Sequence, residues 1–382
     1  MNTTTPRTGC SWKANWNETA EHYINWWNQK GYVIGSFCSP LRSEYPIEDV
    51  PAPTTPSSIE EACTDPVYVA ARIHHELAQG SYPADCVPMS WSTLGPGSLA
   101  LWLGSRPEFT RNTVWYHPCA SSVEELPPLK FDAENRWWKL ALEHLHQVQV
   151  RAQGRYLNGC PDLIEGLDIL ASLIGAENMF ADMKEMPELI HMRLHEINQV
   201  WIKSYDEIYN LIKDEEGAAT FWAFSLWGPG RTAKIQCDVS AMLSPAMFKE
   251  FAVPYLREQC RYLDYSMFHL DGTQCIPHLD HLLSIGELDA IEWTPQTCAG
   301  KPGGGAEAWH DMYRRIKNAG KSVQVVNISP AEIIPLFDSV GPDGMFILTQ
   351  FKSKEEAETL TAELEKHFPN KTAVQNFSPF TV

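Results

Sequence analysis

The chain has 382 residues, 44% of them hydrophobic, and a formal net charge of −18. This length is sufficient to bury a large core without disulfides or structural metals. The excess of carboxylates argues against nucleic acid or an anionic membrane surface as a partner, because both require clustered Lys and Arg.

The ten cysteines are scattered, and no two are spaced as CxxC. This pattern is typical of reduced thiols, not of a disulfide framework or a zinc knuckle. The polar segment 1–16 lacks a hydrophobic stretch of signal-peptide length, and no run of eighteen apolar residues occurs. We therefore predict a cytoplasmic protein without a membrane partner.

The N-terminal part predicts a helical extension followed by a strand. Residues 16–30 carry apolar positions at helical spacing and stop at Gly31, which defines an extension over 1–31. Residues 32–38 are β-branched and aromatic and predict the first strand. The polar loop that follows, through residue 58, is long enough for a lid or an oligomer contact, so a homodimer is a candidate assembly.

Strand-like segments alternate with helical ones along the rest of the chain. The eight predicted strands are 32–38, 86–91, 155–160, 220–226, 265–271, 288–293, 321–326 and 345–348. This alternation predicts an α/β protein with a closed parallel (β/α)8 TIM barrel and long inserted loops. Since no linker or fixed-period repeat appears, we predict one domain over 1–382.

The most informative strand is the fifth, which ends in His269, Leu270, Asp271 and Gly272. Side chains two apart on a strand share a face, so His269 and Asp271 are predicted to lie together at the carboxyl end. An imidazole beside a carboxylate is a candidate metal-binding or acid–base pair. The alternative is that Asp271 caps the following helix and His269 is a hydrogen-bonded core histidine.

Other predicted strand ends also carry polar residues. Asp162 follows the third strand, Glu292 ends the sixth and Gln350 follows the eighth. Together with His269 and Asp271, the acids Glu292 and Asp162 are the candidate catalytic residues, and Gln350 is a candidate for substrate binding.

Two loops are predicted to serve the same end of the barrel. Arg231 lies in a glycine-rich loop from which it could reach an anionic substrate group, with Asp238 nearby. An ion pair between Arg231 and Asp238 is the structural alternative. The glycine-rich segment 297–306 is a candidate lid over the sixth strand.

Tryptophans at predicted strand ends are candidate pocket walls. Trp91, Trp227 and Trp293 could contact a flat or ring-shaped ligand. Ordinary core packing is the alternative for each of them.

Several phrases of the sequence resemble the uroporphyrinogen decarboxylase superfamily, which also contains corrinoid-linked methyltransferases. These phrases are Asn135-Arg-Trp-Trp138, Asp168-Ile-Leu-Ala-Ser-Leu173, Ser244-Pro-Ala-Met-Phe248, Pro254-Tyr-Leu-Arg257, His269-Leu-Asp-Gly272 and His278-Leu-Asp280. The resemblance covers most of the chain from Trp16 onward. It implies a TIM barrel and an enzyme.

In the methyltransferase branches, the resemblance implies a zinc ion held by a His-x-Cys pair and a later cysteine. Here His269 matches the histidine, but Asp271 replaces the cysteine and the last strand ends in Thr349-Gln350. Oxygen ligands favour harder divalent ions than thiolate ligands do. The tentative ligands are His269 and Asp271, with Cys275 as a weaker candidate, while zinc, another divalent ion and no metal all stay open.

Decarboxylation of uroporphyrinogen itself is not expected. Binding a tetrapyrrole with eight carboxylates requires several arginines, and a chain of charge −18 lacks such a cluster at its predicted strand ends. The resemblance instead implies methyl transfer on a small organic substrate, to or from a corrinoid protein as partner. The alternatives are a lyase or hydrolase that uses the His/Asp/Glu site on a carbohydrate-like or carboxylated substrate, and a non-catalytic binding barrel.

Overall fold

The structure is a computed structural model that describes residues 9–36, 41–42, 46–296 and 302–370. The described strands are β1 (Tyr32–Ser36), β2 (Leu41–Arg42), β3 (Gly80–Ser81), β4 (Arg106–Phe109), β5 (Val114–His117), β6 (Ala219–Phe221), β7 (Leu226–Gly228), β8 (Thr232–Gln236), β9 (Tyr265–Asp271), β10 (Ala290–Thr294), β11 (Ser322–Ile328) and β12 (Met345–Thr349). The described α-helices are α1 (Trp16–Trp27), α2 (Ile59–Thr64), α3 (Pro66–Ala78), α4 (Ser98–Trp102), α5 (Arg136–Ala152), α6 (Gly166–Ile174), α7 (Ala176–Glu185), α8 (Pro187–Ile212), α9 (Pro245–Phe251), α10 (Val253–Tyr262), α11 (Leu279–Leu283), α12 (His310–Asn318), α13 (Pro330–Val340) and α14 (Lys354–His367).

Six strands form one parallel sheet in the order β1-β12-β11-β10-β9-β8. From β8 to β12 each strand lies beside the next strand of the chain, and at least one helix separates the two in sequence. Because all six strands run in the same direction, their carboxyl ends meet at one edge. That edge is where α/β proteins of this kind build their binding sites.

The predicted closed barrel appears only in part. Two of the predicted strands, 86–91 and 155–160, are represented by isolated parallel bridges that pair Met89 with Leu157 and Cys160 with Phe221. A backbone hydrogen bond of 2.8 Å from Asp85 N to Ile34 O continues the sheet beyond β1. In the described residues, strand pairing therefore leaves the ladder open between β1 and β8.

The region of the predicted fourth strand differs from the expectation. The segment 220–226 is interrupted by a 3₁₀ turn at Ala223–Ser225, and β6 and β7 form an antiparallel hairpin around it. The parallel strand is instead β8, which is not among the eight predicted strands. Its polar residues Lys234 and Gln236 hid the strand pattern because they face inward.

Local sequence signals explain several helix boundaries. The Asn135 side chain accepts hydrogen bonds from the backbone N–H groups of Trp137 and Trp138 at the start of α5. Pro254, in the first turn of α10, lies just after the point where the segment 245–262 divides into α9 and α10. No helix in the described part of the chain is long and apolar enough to cross a membrane.

Helix α1 packs its aromatic face against the sheet. The Trp26 indole donates to the Val323 carbonyl at 3.3 Å, and the Tyr23 and Phe346 rings pack edge to face with centroids 5.3 Å apart. Val323 and Phe346 lie near the amino ends of β11 and β12. Helix α1 therefore covers this end of the sheet and leaves the carboxyl edge to the candidate site.

Candidate functional site

A row of polar side chains crosses the sheet at one register level. Gln236 pairs with His269, His269 with Glu292, and Glu292 with Gln324 on neighbouring strands. Glu292 and Gln324 are fully buried, and Gln236 is 5% exposed. Because residues in register on parallel strands project to the same side, the sequence places four polar groups side by side on a face that is apolar in most sheets.

His269 and Glu292 form the centre of this row. Nδ1 of His269 is hydrogen-bonded to Oε2 of Glu292, and the Thr294 hydroxyl donates to Oε1 of Glu292 at 2.7 Å. Burial raises the pKa of Glu292, and His269 partly offsets this rise. Burial alone would lower the pKa of His269, but the Glu292 carboxylate outweighs it, so the pKa of the imidazole is raised.

Three ligand-type side chains converge at the carboxyl ends of β8 and β9. One ligand atom from each of Asp238, His269 and Asp271 lies within 4.8 Å of the other two. Since Glu292 engages Nδ1 of His269, Nε2 is the ring nitrogen available to a ligand. One imidazole nitrogen and two carboxylates suit a divalent cation that accepts oxygen ligands.

The predicted pair of His269 and Asp271 thus lies together, and Asp238 completes the group instead of pairing with Arg231. Asp238 is partly exposed to solvent, but the surrounding protein limits the hydration of its carboxylate. Incomplete hydration of its carboxylate and the nearby Asp168 raise the pKa of Asp238 to about 6.

Hydrogen bonds with two buried side chains, Gln236 and Asp168, hold Asp238 in place. Gln236 Nε2 donates to Asp238 Oδ2 at 2.7 Å and to Asp168 Oδ2 at 3.2 Å. Asp168 also accepts the backbone N–H groups of Asp238 and Val239 at 2.8 and 2.9 Å. These contacts hold the Asp238 backbone and side chain in one position.

Lys234 connects this network to Asp162. Its ammonium is fully buried, lies 2.6 Å from Asp162 Oδ1 and donates to Gln236 Oε1. Burial would lower the pKa of Lys234, but the carboxylates of Asp162 and Glu165 outweigh burial, and the pKa is raised. Lys234 is therefore a buried cation with acidic partners.

Lys234, Gln236, Glu165 and the role of Asp168 are not among the residues predicted from the sequence. The signal was the alternation of Lys234 and Gln236, which share one face of β8 by period two, with Asp238 starting a 3₁₀ helix just beyond the strand. Glu165 and Asp168 precede or begin α6, and no local pattern in the sequence reveals that they contact β8.

Phe224 contacts this group and also lines a cavity. Its ring packs against the His269 ring with centroids 4.7 Å apart. Phe224 has φ 63° and ψ 18°, and Ser225 has φ 54°, so two successive non-glycine residues occupy the left-handed region. Gln324 Nε2 donates to the Phe224 carbonyl at 2.9 Å, and the Tyr23 hydroxyl donates to the Ser225 carbonyl at 2.7 Å. Backbone strain held in this way is a frequent property of functional sites.

The cavity beyond Phe224 has a volume of about 950 Å³ with its mouth included. Trp91 and Asp162, two of the predicted site residues, line it. Asp162 is thus in reach of a ligand in the cavity and of Lys234 beneath it.

Other predicted substrate-binding residues lie elsewhere. Arg231 precedes the amino end of β8, where its guanidinium is 3.3 Å from Asp206 and packs over the rings of Tyr209 and Tyr262. Asp238 lies beyond the carboxyl end of the same strand, so the structure does not bring Arg231 to the site. Its partner is Asp206, which replaces the ion pair with Asp238 considered from the sequence.

Trp227 and Trp293 are buried packing residues in the structure. Trp227 is 1% exposed and packs against Trp16 with ring centroids 5.4 Å apart. Trp293 points away from Glu292 by strand alternation and packs against Trp309 at 5.0 Å. Neither lines the cavity beside His269.

Gln350 follows β12, and the glycine-rich segment 297–306 follows β10. Gln350 lines a different cavity, together with Asn327 and Lys352. Residues 297–301 of the candidate lid lie outside the described residues, while Gly304 donates its backbone N–H to the Asn327 carbonyl at 2.9 Å. An added Cβ at Gly304 would lie 2.1 Å from the Val326 carbonyl oxygen, so this close approach requires glycine.

The fold is that of an α/β protein whose parallel sheet carries a polar site at its carboxyl edge. A solved structure with a similar fold is a methyltransferase from Methanosarcina mazei, with a TM-score of 0.57 and 13% sequence identity over 91% of this chain and 99% of that chain. Comparison with protein-family models and with curated proteins gave no match. The structural likeness establishes a shared fold, and the chemistry must be argued from the site.

Proposed function

We propose that this protein is a methyl-transfer enzyme of the uroporphyrinogen decarboxylase superfamily that passes a methyl group between a small organic substrate and a corrinoid protein. The observation that carries the proposal is the group of Asp238, His269 and Asp271 at the carboxyl edge of the sheet. The sequence resemblance and the fold shared with a methyltransferase support it. On this proposal the six paired strands and the isolated bridges belong to one (β/α)8 barrel.

Asp238, His269 and Asp271 would hold a divalent cation. The fit rests on the convergence of their ligand atoms and on the Glu292 hydrogen bond that orients the His269 ring. The donor set contains no thiolate, so zinc is one candidate among several divalent ions. When bound, such a cation supplies Lewis-acid polarisation of a substrate heteroatom.

The chain's own residues would position the substrate. In the proposed transfer to a Co(I) corrinoid, the carbon–heteroatom bond would break while a carbon–cobalt bond forms with the electron pair of the corrinoid. The heteroatom would keep the pair of the broken bond, and the negative charge that develops on it needs stabilisation. Lys234 would hold Asp162 in place, and Gln236 would hold Asp238. The cavity beyond Phe224 would receive the rest of the substrate.

A two-carboxylate hydrolase or lyase has less support. That chemistry requires Glu292 as an available acid or nucleophile beside Asp271. Both oxygens of Glu292 are instead occupied, one by His269 and one by Thr294, and the side chain is fully buried. A non-catalytic barrel has no evident use for buried ionisable side chains such as Lys234 and Glu165, which are costly to desolvate.

Metal binding tests the first element of the proposal. The purified protein is stripped with chelator, dialysed against Zn²⁺, Mn²⁺ or Co²⁺, and analysed for bound metal. We expect about one ion per chain, and at least tenfold weaker binding in His269→Ala and Asp271→Asn. His146→Ala, at an exposed histidine of α5, is the matched control and should bind as the wild type does. Equal metal content in His269→Ala and wild type would contradict the assignment.

Methyl transfer is tested with free cob(I)alamin as surrogate acceptor. Methylated amines, ethers and thioethers are offered as donors, and formation of methylcobalamin is followed by its absorption spectrum. We expect at least one donor class to react, with a rate about a hundredfold lower in Asp271→Asn. If no donor class reacts with a metal-loaded, folded protein, the proposed activity is wrong.

A further inference from the structure

The cavity beside His269 has an unusual lining. Its empty space, with the open mouth included, is about 950 Å³. Five aromatic side chains line it: Tyr23, Tyr82, Trp91, Trp222 and Phe224. The face of an aromatic ring carries negative charge density, so an aromatic lining suits a cationic ligand.

The charged groups of the cavity are carboxylates. Asp85 and Asp162 line it, and none of the described lining residues is Lys, Arg or His. Asp85 is held by His22 at 2.8 Å and by the Ile34 N–H at 2.9 Å. The Asp162 carboxylate forms an ion pair with the buried ammonium of Lys234. The lining thus has no cation exposed to an anionic ligand, and the rings remain as the main recognition surface.

The cavity and the candidate metal site share Phe224. This residue lines the cavity and packs its ring against His269. A ligand in the cavity therefore borders the residue whose ring packs against His269. The cavity and the group of Asp238, His269 and Asp271 thus adjoin at Phe224.

We propose that this aromatic cavity binds a methylated ammonium group, so that the substrate carries a tertiary or quaternary methylammonium in addition to the heteroatom at the candidate metal site. The inference rests on the proposed function and specifies its substrate class. A quaternary ammonium is weakly hydrated and is attracted to ring faces, which makes an aromatic cage its usual protein site. The net charge of −18 and the exposed carboxylates of Asp238 and Asp271 favour the approach of a cation.

An isosteric pair of ligands tests the proposal directly. Choline and 3,3-dimethylbutan-1-ol have the same shape but differ in charge, and 4-methoxyphenol represents a neutral aryl methyl ether. Binding of each to the purified full chain is measured by titration calorimetry. We expect choline to bind at least tenfold more tightly than either neutral compound. Equal binding, preference for a neutral compound, or no binding of choline would overturn the proposal.

Variants locate the binding site. Trp91→Leu and Trp222→Leu each remove one ring from the cavity and should weaken choline binding about tenfold. Trp115→Leu, which removes a tryptophan 60% exposed on β5, is the matched control and should leave binding unchanged. If choline binds folded Trp91→Leu and Trp222→Leu as it binds the wild type, the cavity is not the site.

The binding experiment is independent of methyl transfer. Because it needs neither a corrinoid nor turnover, a protein that binds choline in the cavity but transfers no methyl group would refute only the proposed function. A protein that transfers methyl groups from a thioether or ether and ignores choline would refute only the substrate class. The two failures are thus distinguishable.

Discussion

At the scale of single residues, two contacts fix the orientation of the His269 ring. Glu292 is fully buried and engages Nδ1, while Phe224 packs on the ring face. Both contacts fix the ring orientation before any ligand arrives. A metal-binding histidine that is oriented in this way loses less conformational freedom on binding.

Replacing Glu292 by Gln tests this role. Gln keeps the size of the side chain but removes the negative charge that raises the pKa of His269. We expect the pKa of His269 to fall, and divalent-metal affinity to drop about 10- to 100-fold. Titration of the imidazole resonances by NMR and equilibrium dialysis with metal measure the two effects.

The control for this variant is Glu307→Gln, an exposed glutamate that precedes α12. It should change neither quantity. An unchanged His269 pKa and unchanged metal affinity in Glu292→Gln would show that the carboxylate does not govern the ring.

At the scale of elements, β8 shows where sequence reasoning failed. A strand is recognised by apolar residues on the face that is buried, but the inward face of β8 carries Lys234 and Gln236. The same reasoning placed β9, β10, β11 and β12 within a few residues, because their runs of β-branched and aromatic residues are longer. A polar interior therefore weakens the pattern that identifies strands.

The candidate site, like the strands, could be predicted from the sequence only in part. His269 and Asp271 follow from alternation along one strand. The bond between His269 and Glu292 depends on the register between two strands, and the contact between Asp168 and the Asp238 backbone joins segments 70 residues apart. Such contacts are set by tertiary packing, which no local pattern encodes.

The buried Lys234 on β8 leads to a prediction about stability. Replacing Lys234 by Met removes the cation that faces Asp162 and Glu165 and leaves buried acids without compensation. We expect the free energy of unfolding to fall by about 3 to 5 kcal/mol. Urea unfolding of the purified variant measures the change.

A second substitution separates charge from packing in this prediction. In Lys234→Met/Asp162→Asn the uncompensated charge is gone, so the double variant should be more stable than Lys234→Met. Lys130→Met, at an exposed lysine, should stay within about 0.5 kcal/mol of the wild type. A double variant less stable than Lys234→Met would show that packing, and not the ion pair, sets the cost.

At the scale of the whole molecule, titratable groups whose pKa values shift in opposite directions on folding make stability depend on pH. Surrounding protein and Asp168 raise the pKa of Asp238 from 3.8 to about 6. Burial lowers the pKa of His144, in α5, from 6.5 to about 4. Native Asp238 binds its proton more tightly than the unfolded chain does, whereas native His144 binds its proton less tightly.

The two groups therefore act in opposite directions between pH 4 and pH 6.5. The contribution of Asp238 is present at low pH and is lost as pH rises through about 6, so the stability of Asp238→Asn relative to wild type should increase from pH 5 to pH 6.5. The contribution of His144 is present above pH 6.5 and is lost as pH falls, so His144→Phe should gain relative to wild type from pH 6.5 down to pH 5. Urea unfolding in chelator, which keeps Asp238 free of metal, measures both. Because each comparison is a difference from wild type at the same pH, the other titrating groups cancel to first order, and a slope of the opposite sign for either variant would contradict the pKa shift of that residue.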